Sequence, residues 1–96
     1  MDTQVTQPAE ERVFRVRSST PSNDLGSAIA HAVMDGRTVV LRAVGAGAIN
    51  QAVKALPIAK GFVVGYGVRL YFDANFFHGQ AVEGEILGIA ISVFRD

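Results

Sequence analysis

From residue 44 to residue 54 the chain reads Val-Gly-Ala-Gly-Ala-Ile-Asn-Gln-Ala-Val-Lys, with glycines at 45 and 47 directly before residues at helical spacing. Glycines between a strand and a helix let the N–H groups of the helix start approach an anion, and the helix dipole favours negative charge there. The same glycines also suit a tight turn that only permits close packing, and both readings stand. The run matches a dinucleotide-binding fingerprint only in part: Asn50 occupies the place of the third glycine, and 96 residues are too few for two Rossmann halves. Ser18, Ser19, Thr20, Ser22, His31, Asp24 and Asp35 include the residue types of a hydrolytic triad. Hydroxyls around Pro21, however, suit helix capping, and His31 falls about 120° from the centre of its helix's apolar stripe. No catalysis is expected. The chain has no cysteine, and His31 and His78 stand 47 positions apart, so neither a disulfide nor a metal site is expected, and no cofactor.

Charge narrows the choice of partner. The formal net charge is zero. Residues 1–11 nevertheless carry −3, residues 73–96 carry −3, and the segment from Arg12 to Phe72 carries +6. A basic middle allows a polyanion partner and is equally compatible with ordinary solvated surface. With no cysteine, no apolar signal segment in MDTQVTQPAEER and no apolar run of spanning length, a cytoplasmic protein without membrane contact is expected.

These residues need elements to hold them. Residues 1–12 show no apolar periodicity and read as a mobile tail, leaving one domain over 13–96. Val13–Ser18 alternates as a strand, and Leu25, Ala28, Ile29, Ala32 and Val33 recur at helical spacing up to Gly36. Thr38–Val44 is a second strand. Ile49, Ala52, Val53 and Leu56 form the inner stripe of a second helix, in which Pro57 should cause a kink or a restart. Val68–Phe72 and Glu85–Phe94 alternate as strands, with Asp73–Gly84 as an extended, protruding connection. The order βαβαββ predicts an α/β (α+β) two-layer sandwich: a mixed four-stranded sheet with both helices on one face. Strand alternation would then place Arg15, Arg17, Arg42, Arg69 and Tyr71 on the open face, over the small Gly88, Ala90 and Ser92.

The run GAGAINQAVKALPIAKGFV, preceded by LRAV and followed by Gly67-Val68, resembles the signature of the stage V sporulation protein S family, a branch of the Alba-like superfamily. The resemblance implies an Alba-like fold, also that of the C-terminal domain of translation initiation factor 3. It further implies a role in sporulation or developmental regulation, and nucleic-acid binding. By position it assigns the nucleic-acid contact to Gly45, Gly47, Asn50, Gln51 and Lys54, with Arg42 before the turn and Ser22 and Asn23 nearby. Archaeal Alba proteins carry arginines around this turn and paired lysines at the first helix entry, where this chain has Ala46, Gly47, Gln51 and Ser22-Asn23. Two alternatives therefore remain open: a homo-oligomeric interaction protein without nucleic acid, and a small-anion or nucleotide binder at the glycine turn.

A homodimer is expected from the second helix. Ala55, Ile58 and Phe62 line up away from the inner stripe at positions i, i+3 and i+7, a second apolar stripe for a partner copy. The competing expectation is that Pro57 rotates Ile58 and Phe62 back into the protomer's own core.

Overall fold

The computed structural model describes residues 10–81 and 84–96. The chain runs β1 (Glu11–Val16), α1 (Ser22–Met34), β2 (Thr38–Ala43), α2 (Ala46–Val63), a 3-10 turn (Val64–Tyr66), β3 (Leu70–Ala81) and β4 (Gly84–Arg95). The sheet order is β1-β2-β4-β3, with β1 and β2 parallel and the other two pairings antiparallel. This is the expected mixed four-stranded sheet. Its buried strand residues, Val16, Val39, Leu41, Ala43, Leu70, Ile91 and Val93, share one face and form a single core with both helices. Ile29 and Leu41 are fully buried there. Each such side chain contributes roughly 1.5–3 kcal/mol relative to exposure.

Of the expected tail, residues 1–9 lie outside the described residues. Glu11 and Arg12, assigned to that tail, instead pair with Thr38 and Val39 in β1. Parallel pairing with β2 recruits them, although they carry no apolar pattern of their own.

Helix α1 ends as its sequence predicts. Gly36 takes a φ of 82°, and the Gly36 and Arg37 amides donate to the Val33 and Ala32 carbonyls at 3.0 Å each, a Schellman closure. Its start differs from the expectation. Pro21 is the N-cap and no side chain caps the helix; the Thr20 hydroxyl instead accepts a bond from the Arg17 amide at 2.8 Å, closing the turn before it.

Helix α2 continues unbroken through Pro57 and Gly61. The bond that Pro57 removes would have ended on the Val53 carbonyl, and both residues lie on the exposed side, where water can take the freed oxygen. The inner face is Ala48, Ala52, Ala55, Ala59 and Val63, small enough for α2 to lie close against α1 as well as the sheet. Val53, expected in this stripe, is 48% exposed, and Leu56 is half-buried at its edge.

The second apolar stripe also divides. Ala55 is fully buried in the protomer's own core, and Ile58 packs on α1 so tightly that a Cβ on Gly26 would clash with its Cγ2. Only Phe62 of the three is exposed. A helix in a two-layer domain has a second buried side when another helix lies beside it, which accounts for Ala55 and Ile58 without a partner copy.

Most of the expected connection Asp73–Gly84 is strand. Phe76 pairs with Ile89, Phe77 with Gly88, His78 with Leu87 and Gln80 with Glu85. β2 pairs with β4 only as far as Ile89, so the residues nearer the hairpin tip form a two-stranded arm reaching about 17 Å beyond the body.

Candidate nucleic-acid interface

Because β1 and β2 are parallel and each is followed by a helix, the starts of α1 and α2 lie at the same end of the sheet. The arm projects from that end too. Gly45 caps α2 with φ 91° and ψ 156°, a conformation essentially restricted to glycine, and no side chain caps the helix. The first-turn amides of Ala46, Gly47 and Ala48 therefore have no intrahelical acceptor, and neither do those of Ser22, Asn23 and Asp24.

The two helix starts are joined. A Cβ on Gly47 would come within 2.8 Å of the Ser18 Cβ, so this glycine is required for close approach. Gln51 Nε2 donates to the Thr20 carbonyl at 2.7 Å, and Lys54 Nζ donates to Gln51 Oε1 at 3.3 Å. At 100° per residue Gly47, Asn50, Gln51 and Lys54 share one side of α2, the side next to the β1–α1 turn. The structure thus brings together Gly45, Gly47, Asn50, Gln51 and Lys54, with Ser22 and Asn23 across the junction. Gln51 is half-buried and its amide is committed to Thr20, which makes it a bracket between the two turns.

Arg42 stands apart from this group, on the open face of the sheet. It is the register partner of Arg15 on β1. Arg17 follows at the end of the same strand, and the three arginines border a groove of about 390 Å³. Among the described residues Arg37 pairs with Glu10 at 3.6 Å and His78 Nδ1 lies 3.2 Å from Glu85 Oε2, and Arg15, Arg17, Arg42 and Lys54 join no ion pair. Arg69, expected beside these arginines, lies at the far end of the sheet, where its amide donates to Asp96 Oδ1 at 3.2 Å. Leu70 pairs with Arg95 while Arg42 pairs with Ala90, which separates Arg69 from Arg42 by roughly 20 Å along β4.

Phe77 is a groove residue that the reading of Asp73–Gly84 as a connection missed. Its ring occupies the space a Gly88 side chain would take, and Arg42 Cζ lies 5.5 Å from the ring centroid. The available signal was the pairing of a large aromatic with a glycine, visible only once the strand register is known. His31 Nδ1 lies 3.0 Å from the Ser27 carbonyl, within its own helix and away from the Ser18–Ser22 hydroxyls. Among the described residues no group of three or more His, Cys, Asp or Glu is placed to hold a metal ion, and no helix is long and apolar enough to cross a membrane.

This architecture is that of an Alba-like domain: it is similar to the structure of Alba from Thermoplasma volcanium, with a TM-score of 0.58 and 14% identity, over 88% of this chain and 99% of that one. The family model of stage V sporulation protein S (SpoVS) matches residues 12–96. The chain belongs to that family.

Proposed function

We propose that the protein is a non-catalytic regulator of sporulation or development that binds nucleic acid through the end of the domain where both helices begin. The observation that carries this reading is the coincidence, at one end, of two helix starts without side-chain caps and of Arg15, Arg17, Arg42 and Lys54, none ion-paired among the described residues. Amide donors at helix starts and guanidinium groups are both phosphate ligands, and phosphate contacts supply most non-specific affinity. Binding rather than catalysis is supported by how the candidate hydroxyl and imidazole are used: Thr20 closes its own turn, and His31 lies against its own helix. The cytoplasm is the place of action in this reading.

Fluorescence anisotropy with labelled mixed-sequence DNA and RNA across a salt series tests it. Affinity should fall linearly on a log–log scale, and Lys54→Glu should weaken binding and lower the slope by about one unit. No binding at low salt overturns the reading. Inorganic phosphate or a free nucleotide bound at the glycine turn without any polymer would favour the small-anion alternative.

Self-association is the second reading, favoured by one observation: Phe62, Tyr66 and Met34 are 52%, 73% and 39% exposed and border a groove between the ends of α1 and α2. Exposed apolar side chains gathered in one place suit a partner copy. Light scattering over a dilution series should show a dimer that Phe62→Glu converts to folded monomer; a monomer at every concentration removes it.

A further inference from the structure

The helix starts do not account for the groove on the open face. Arg15 and Arg42 are register partners on adjacent strands, and like charges side by side destabilise a sheet. No acid among the described residues offsets them. Beside them Phe77 fills the place of a missing Gly88 side chain, so glycine at 88 lets an aromatic ring lie across the sheet next to Arg42. Gln80 and Ile86 of the arm complete the wall of a groove of about 390 Å³, a size in the range of small-ligand sites.

We propose that this groove takes one unpaired nucleotide, with its base against Phe77 and Arg42 and its phosphate held by Arg15 and Arg17. An aromatic ring and a guanidinium plane are both surfaces on which an unstacked base can lie, whereas a base inside a duplex already has neighbours on both faces. Guanidinium forks match phosphate oxygens in pairs. The Gln80 carboxamide offers a donor and an acceptor to a base edge. The groove therefore adds to the phosphate contacts at the helix starts a preference for single-stranded over double-stranded nucleic acid. It rests on the nucleic-acid reading for its polymer and on its own geometry for the nucleotide.

The full chain is titrated at low salt with a labelled single strand, with the duplex of the same sequence and, by NMR, with a free mononucleotide. The single strand should bind more tightly than the duplex. Phe77→Leu, which keeps an apolar side chain over Gly88, should weaken the single strand about tenfold and leave the duplex within twofold. If Phe77→Leu does not fold, Gln80→Ala, exposed on the arm and part of the groove wall, should weaken the single strand while leaving the duplex within twofold. Equal binding of both forms, or equal loss on both in the variant, overturns the groove while the nucleic-acid reading stands. A polyglutamate peptide that competes as well as the mononucleotide overturns base recognition. Absence of polymer binding overturns the nucleic-acid reading; a mononucleotide that still shifts the Phe77 and Arg42 signals then supports the groove alone, and one that does not overturns it as well.

Discussion

The two ends of the sheet both carry arginines and differ in the acids beside them: Glu10, Glu11, Asp35 and Asp96 stand at the end where β1 and β3 begin, whereas the end where the helices begin has Asp24 in the first turn of α1 and Glu85 on the arm. Where β1 and β3 begin, Arg37 meets Glu10, the Asp96 carboxylate accepts the Arg69 amide, and Glu11 and Asp35 stand nearby. At the opposite end, where two helix starts lie without side-chain caps, Arg15 and Arg42 are side by side on the open face of the sheet without an acid partner among the described residues. The zero net charge of the chain conceals this polarity. Parallel β1 and β2, each followed by a helix, put both positive dipole ends at one edge, and the arginines on β1 and β2 add to them.

The strongest way to break this comparison is charge reversal at each end in turn. Arg15→Glu with Arg42→Glu should lower nucleic-acid affinity by about a hundredfold at low salt, while Arg37→Glu with Arg95→Glu should change it by less than about fivefold. Similar losses from both pairs, measured by anisotropy, would mean that the charge acts without regard to position.

Next in size is the turn that brings the start of α2 to this end. Gly45→Ala places a side chain in a glycine-only conformation although open space surrounds the position, so the cost should come from the backbone alone. About 1–3 kcal/mol is expected from urea unfolding. An unchanged midpoint would show that the turn relaxes.

Gly47→Ala should cost about 1 kcal/mol or more through its clash with Ser18, and Ser18→Gly in the same chain should recover most of it. A double variant no more stable than Gly47→Ala would show that this contact does not join the two helix starts. The smallest effect belongs to the other end. Arg37→Ala removes an exposed pair and should cost no more than about 1 kcal/mol in thermal or urea unfolding, with nucleic-acid binding unchanged.

Local chemistry was legible in the sequence wherever one residue decides it. Gly36 ends α1 and Gly45 opens α2 because each takes a positive φ, and the short β-branched run Thr38–Val44 and the alternation of Glu85–Phe94 mark two strands. The contact residues of the glycine turn and of α2 came from the resemblance to the family and not from spacing; the helix then puts Gly47, Asn50, Gln51 and Lys54 on one side. Gly79, Asn75 and Asp73 read as loop residues. They stand in a strand because β4 supplies their hydrogen bonds, a long-range pairing that no short window of sequence contains.

The sequence by itself determined the order of elements, the mixed sheet and the glycine turn, since each follows from local periodicity or from one backbone requirement. Tertiary structure decided the rest. Pro57 is tolerated because its missing bond faces water, and Ala55 is buried and Ile58 half-buried because α1 lies beside α2. Arg15 and Arg42 became neighbours, and Arg69 a distant residue, only when the register was set. A helix or strand residue carries its own periodicity, but which side is buried, and beside which charge, depends on partners far away in the chain.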